Sequence, residues 1–220
     1  ELCSREMDIE WTLQALAGEL GEAELEPEDF VALDLPALPF GDLTVTKVGD
    51  AIAALMPEDA VVVDEGISAS YYLGPGLKRA RGHDALTITG GSIGFGLPNA
   101  VGAAVACPDR KVVVLEGDGS GMYTLQSLWT MAREGLDVTT VIFANRGYQI
   151  LRDELAAMGV NEVGRNAQRM FDVEGPSLDW LALAQGHGVQ AVRVSDMAGF
   201  NAAFAEAMAQ RGPRLIEVVC

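Results

Sequence analysis

Apolar positions along this chain fall into short continuous runs separated by stretches of helical spacing. The runs are Ala60 to Asp64 (AVVVD), Lys111 to Glu116 (KVVVLE) and Val138 to Ala144 (VTTVIFA), and Gln190 to Val194 and Arg214 to Val219 read as further strands. Unbroken Val and Ile without polar alternation predicts strands covered on both faces. Before and between them, Thr46 to Met56, Met122 to Glu134, Leu151 to Met158, Leu178 to Gln185 and Met197 to Gln210 read as helices. A further helix starts near Pro98 and carries small residues to Cys107, which suits close packing. Strands alternating with helices predict an α/β fold: a doubly wound parallel sheet with helices on both faces. Right-handed crossovers then bring the strand ends to one functional edge.

The start of the chain is different. Ile9, Leu13, Leu16, Ala17 and Leu20 fall near a 3.6-residue period, so Asp8 to Leu20 reads as a helix that Gly21 stops. Glu22 to Asp42 holds seven acids and three prolines with no base, which reads as a linker. The expected organisation is residues 1–42 as a helix and acidic linker from an upstream domain, and 43–220 as the main domain. The chain opens on Glu1 without a signal-peptide pattern, which predicts a processed or truncated chain.

Composition narrows the function classes. The 220 residues are 49% apolar, enough for a sizeable core, and 15 bases against 32 acids leave a net charge of −17. That acid excess argues against nucleic acid or anionic lipid as a partner. No apolar run approaches the ~18 to 20 residues of a membrane span. Cys3, Cys107 and Cys220 are odd in number, widely spaced and without metal-ligand spacing, so a reduced, cytoplasmic setting is expected.

The chemistry concentrates after the second apolar run, which passes into Gly117-Asp118-Gly119-Ser120-Gly121. Glycines permit a tight turn and close approach to the backbone, and a helix expected at once afterwards would aim free N–H groups at a phosphate. The next strand runs into Asn145-Arg146-Gly147. If the two strands are neighbours, Asp118, Asn145 and the Gly147 carbonyl present three hard oxygens at one rim. With one negative charge they make a poor cage alone, and a good one when a diphosphate and water complete six oxygens around Mg²⁺. The G-x-G-x-x-G pattern fails at Met122 and again at Asn99, and no G-x-x-x-x-G-K-[ST] loop occurs.

Gly117 to Asn145, GDGSGMYTLQSLWTMAREGLDVTTVIFAN, resembles the thiamine-diphosphate motif of the decarboxylase and acetolactate synthase superfamily. Thr89 to Ala106, TGGSIGFGLPNAVGAAVA, is similar to the stretch that lies against the cofactor in benzoylformate decarboxylases and acetolactate synthases. Many members carry Asn-Asn where this chain has Ala144-Asn145; the second Asn is the ligand, so the departure does little harm.

The resemblance implies thiamine diphosphate and Mg²⁺ as cofactors, with Asp118, Asn145 and Gly147 on the metal. Gly117, Gly119 and Ser120 would line the diphosphate, and Ser68 would touch it unless it caps a helix. The Gly91 carbonyl would accept from the pyrimidine amino group, Ile93 would support the bent cofactor, and Tyr148 would pack near the phosphates. The implied activity is that of the C-terminal, cofactor-binding portion of a longer enzyme acting on 2-oxo acids. It is either acetolactate synthase-like, joining two after decarboxylation, or benzoylformate decarboxylase-like. A separate subunit needing a partner chain, or a module without turnover, are the other readings. In this family a Glu from a pyrimidine-side domain of the partner subunit activates the ring. No residue here matches it, so a homo-oligomer is expected and the isolated chain is expected to be inactive.

The remaining polar residues carry milder expectations. Glu65 is read as solvated or capping, and His83 and His187 as surface or loop residues. Arg146 and Arg152 are read as solvated, with a substrate carboxylate as the rival partner. Trp129 is expected in the core.

Overall fold

The computed structural model describes residues 8–21, 33–160 and 162–220. The chain divides into two compact units, Glu1–Ala32 and Leu33–Cys220. In the first, α1 (Ile9–Leu20) is capped by Asp8, whose side chain accepts from the Trp11 N–H, and ends at Gly21. None of its residues is buried. The acidic stretch 22–32 lies outside the described residues. Leu33 to Asp42 belongs to the second unit and has neither helix nor strand, although Leu38 packs against the core and the Pro39 carbonyl accepts from the Asn201 amide.

In chain order the second unit contains α2 (Val45–Leu55), β1 (Ala60–Glu65), α3 (Ser70–Leu77), β2 (His83–Thr87), α4 (Gly96–Ala106), β3 (Val112–Gly117) and α5 (Asp118–Gly121). There follow α6 (Ser127–Glu134), β4 (Val138–Ala144), α7 (Gln149–Ala157), α8 (Arg165–Phe171), α9 (Trp180–Gly186), β5 (Gln190–Val194), α10 (Met197–Ala209) and β6 (Arg214–Val219). The six strands form one sheet in the order β2-β1-β3-β4-β6-β5, and every pairing is parallel. The doubly wound sheet read from the apolar runs is the fold observed.

Side chains alternate across the sheet, so each strand feeds two cores. Val62, Val113, Leu115, Val141, Phe143, Ile216 and Val218 face a layer that includes Val48 and Ile52 of α2, Leu73 of α3 and Phe200 and Phe204 of α10. Val61, Val63, Val112, Val114, Ile142 and Leu215 face Leu97 and Ala100 of α4, Leu128 and Met131 of α6 and Trp180 of α9. Burial on both faces is why the runs of β1, β3 and β4 lack polar alternation, whereas β5, at the sheet edge, is mostly exposed.

The structure differs from these expectations at five places, the first being helix α3, since the segment Ser70–Leu77 with Gly74, Pro75 and Gly76 reads as mixed rather than helical. Strand β2 was not expected: His-Asp-Ala-Leu-Thr has no Val or Ile run, and it forms an exposed edge strand recruited by pairing with β1. Helix α8 also lacked a signal, since RNAQRMF buries none of its residues. The helix expected over Met122 to Glu134 begins only at Ser127, after the single turn α5 and a run of further turns. Trp129 is 51% exposed rather than in the core, with the Arg133 guanidinium 5.2 Å from its ring centroid.

Candidate functional site

Strand register assembles the site. Gly117 of β3 pairs with Phe143 of β4, so Asp118 and Asn145 leave neighbouring strands at the same edge of the sheet. Asp118 is 3% exposed. Its Oδ1 accepts from the Gly119 N–H at 2.9 Å and its Oδ2 from the Arg146 N–H at 2.7 Å, which ties the two strand tips together. Burial pushes the Asp118 carboxyl up to about 6, although both backbone bonds pull the other way. Among the described residues no Lys, Arg or His pairs with this carboxylate. A buried acid without a counter-charge is costly, and a bound cation relieves that cost.

Asn145 is exposed, and its Oδ1 accepts from the Gly147 N–H at 3.1 Å in a tight turn. Between them Arg146 has φ +59°, a strained value for a residue with a Cβ, held by the Asp118 bond and by its own carbonyl accepting from Val173. The Tyr148 ring lies against Gly119: a Cβ there would sit 2.6 Å from Tyr148 Cε1, so only glycine fits. The Ser120 hydroxyl is turned away from the rim, donating to the Glu116 carboxylate at 2.5 Å.

The other sequence-derived positions lie on the same edge at different distances from this centre. Ser68 is half-buried in the turn after β1; it caps no helix, because the cap of α3 is Ala69 and carries no side-chain bond. Gly91 (φ +70°) and Ile93 lie in the loop before α4, with Gly91 exposed and Ile93 half-buried. That loop reaches the Gly117 turn through Gly94, whose carbonyl accepts from the Thr124 hydroxyl at 3.0 Å.

Two functional candidates escaped sequence reasoning in part or in full. Glu65 is 1% exposed, so it is not solvated; it caps α4 from another strand, accepting from the Gly96 N–H. Glu116 is fully buried, and burial first, then the charge of Glu65, pushes its carboxyl well above the usual carboxylate range. The available signal was an acid closing each of two apolar runs, and its meaning depended on those runs being neighbours.

A polar cavity of about 270 Å³ opens beside Asp118, lined also by Arg146, Trp180, Arg193 and Glu217. A larger groove of about 890 Å³, between α9, α10 and strands β5 and β6, contains none of the residues singled out from the sequence. Arg146 pairs with Glu174 at 3.1 Å and Arg152 with Asp172. His83 and His187 each bond a nearby carbonyl through Nδ1.

Residues 73–218 match the family model described as "Thiamine pyrophosphate enzyme, C-terminal TPP binding domain". The chain is 47% identical over 208 residues to the Mycobacterium tuberculosis protein named "Putative acetolactate synthase large subunit IlvX", covering 94% of this chain and 40% of that protein. It is 32% identical over 212 residues to the benzoylformate decarboxylase of Pseudomonas aeruginosa, covering 96% of this chain and 39% of that one. In structure it resembles the thiamine diphosphate-dependent 4-hydroxybenzoylformate decarboxylase of Rhodococcus jostii RHA1, with TM-score 0.76 and 30% identity over 94% of this chain and 38% of that one. The chain thus spans about two-fifths of the length of these relatives.

Proposed function

We propose, for a chain that belongs to the thiamine pyrophosphate enzyme family as its C-terminal TPP-binding domain, that the tips of β3 and β4 hold the cofactor's diphosphate through a shared Mg²⁺. The carrying observation is the Asp118 carboxylate: buried, without a counter-charge, and bonded across to the backbone of the neighbouring tip. The donor set fits a hard cation. Asp118 supplies a carboxylate, Asn145 an amide oxygen and Gly147 a carbonyl, all oxygen ligands of the kind Mg²⁺ takes. Among the described residues no group of three or more His, Cys, Asp or Glu is arranged to hold a metal. The ion therefore depends on diphosphate and water for its remaining ligands, which couples metal binding to cofactor binding.

Around that ion this chain's residues have separate tasks. Gly117 and Gly119 keep the turn free of side chains, and Ser120 braces it from below through Glu116. The Tyr148 ring packs on Gly119 and narrows the rim on the phosphate side. Ser68 borders the same edge, and Gly91 and Ile93 face the pyrimidine end. Bound there, thiamine diphosphate supplies the electron sink that lets a 2-oxo acid lose its carboxylate. The residues of this chain orient and shield it.

The activity of the whole enzyme extends beyond this chain. The reading is a 2-oxo acid enzyme in which the rest of the polypeptide provides a pyrimidine-side domain and the activating Glu, from the partner subunit of a homo-oligomer. The 47% identity to the acetolactate synthase-like relative supports carboligation after decarboxylation. The benzoylformate decarboxylase-like alternative is supported by a relative and a solved structure. The full-length enzyme decides: acetolactate from pyruvate supports the first, benzaldehyde from benzoylformate the second. A reducing, cytoplasmic setting accords with Cys107 and Cys220, both free thiols. No described helix is long and apolar enough to cross a membrane.

The metal assignment is tested by calorimetry on Asp118→Ala. Mg²⁺-dependent thiamine diphosphate affinity is expected to fall at least a hundred-fold, about 2.7 kcal/mol, with the circular dichroism of the fold retained. Unchanged affinity removes Asp118 from the site.

A further inference from the structure

Glu65 and Glu116 are register partners on β1 and β3, 1% and 0% exposed. They lie at a distinctive place in the sheet. From β1 the chain crosses to β2 on one side and then returns to β3 on the other, so β1/β3 is a topological switch point. Ligand crevices of such sheets open at the carboxyl ends of these strands. Glu116 braces the Gly117–Gly121 turn through Ser120, and Glu65 has no task in the metal and diphosphate reading.

The bonds of Glu65 reach far along the chain. Its Oε1 accepts from the Gly94 N–H and its Oε2 from the Gly96 N–H, each at 2.5 Å. Gly94 is gripped from the other side too, since its carbonyl accepts from the Thr124 hydroxyl just beyond the Gly117–Gly121 turn. The fit has no slack. A Cβ on Gly94 (φ +98°) would lie 2.9 Å from Tyr123 Cβ, and one on Gly96 would lie 2.4 Å from Glu116 Oε2 and 2.8 Å from Glu65 Oε2. Glu116 in turn accepts from the Ser120 hydroxyl of that turn. Two segments separated in sequence are thus locked to a common buried anchor.

We propose that Glu65, seconded by Thr124, is a positioning residue that fixes the loop 90–95 against the Gly117–Gly121 turn. It thereby sets where the pyrimidine end of thiamine diphosphate lies relative to its diphosphate. This rests on the cofactor reading above. A carboxylate is required because two amides converge on two acceptor oxygens of one side chain. Glutamine offers a single acceptor, and its NH₂ would face the second N–H, leaving a buried donor without a partner.

The test uses the full-length enzyme, its Glu65→Gln and Thr124→Val variants, and two probes: Mg²⁺ with inorganic pyrophosphate, and Mg²⁺ with thiamine diphosphate. Calorimetry is read together with the near-ultraviolet circular dichroism of the bound cofactor. In Glu65→Gln, thiamine diphosphate affinity is expected to fall roughly ten-fold or more, and in Thr124→Val by a few-fold. The cofactor's dichroism should change in both, while pyrophosphate affinity stays at the wild-type value. Wild-type cofactor affinity and dichroism in Glu65→Gln overturn the proposal, and so does an equal loss for both probes, which marks a general structural role. If Glu65→Gln fails to fold, Thr124→Val decides alone, and an unchanged affinity and spectrum there overturn it. Failure of the wild-type enzyme to bind Mg²⁺-pyrophosphate overturns the diphosphate reading itself, a result separate from any effect at Glu65.

Discussion

Strand β3 has a charge largely withdrawn from solvent beyond each end, and the two ends are built on opposite principles. Before its first residue, the Lys111 ammonium meets Asp137 Oδ1 at 2.8 Å, the Ala207 carbonyl at 2.9 Å and the Gln210 carbonyl. All three of its donors have acceptors, and one acceptor carries the opposite charge. At the other end, among the described residues Asp118, just past the strand, meets only backbone amides, and Glu116, next to the strand's last residue, has Oε2 buried without a hydrogen-bond partner. One end of the strand is neutralised within the protein. The other is left without a counter-charge, which costs stability in the free chain and is the feature on which the proposed cation site rests.

The sharpest way to break this comparison is Lys111→Met. Its loss leaves Asp137, 8% exposed, with only the longer 3.8 Å contact to Arg211 among the described basic residues. Stripping one partner from a buried pair costs about 3–5 kcal/mol, to be read as a lower denaturant midpoint. A midpoint within experimental error of the wild type would deny that this end is a structural clasp. Asp118→Ala should lower the midpoint by less, because relief of the buried charge offsets two amides left without an acceptor.

Chelation comes next. With thiamine diphosphate at about a hundred times its dissociation constant, bound cofactor stabilises by roughly 2.7 kcal/mol. Addition of EDTA should remove that gain and leave the cofactor-free melting temperature where it was. A drop in the cofactor-free protein would point to a metal with a purely structural role.

Gly119→Ala has the smallest expected effect. The new methyl group must displace the Tyr148 ring, an overpacking cost of about 1–3 kcal/mol, seen as weaker cofactor binding with Lys111 and its partners undisturbed. An alanine variant that binds as the wild type does would show the ring free to move.

Legibility in the sequence followed burial. Strands β1, β3 and β4 were readable because two-sided burial demands long apolar runs, and GDG with a later Asn marked the strand tips because glycines permit the tight turn there. Strand β2 was not readable, since HDALT carries no Val or Ile, whereas the other edge strand, β5, still shows Val192 and Val194 between two helical stretches. The break between α5 and α6 was also hidden, because Met122 to Glu134 has helical spacing while the backbone from Met122 to Gln126 runs through turns in which the Thr124 side chain bonds the distant Gly94 carbonyl.

The order of apolar runs and turn residues determined the fold class and the position of Asp118 and Asn145, because backbone pairing and two-faced burial are local demands written in residue type. Which acids lie side by side was decided by tertiary structure alone. Glu65 and Glu116 are 51 residues apart, and only the crossing of the chain from β2 back to β3 places them in register, buries both and turns one towards the amides of Gly94 and Gly96.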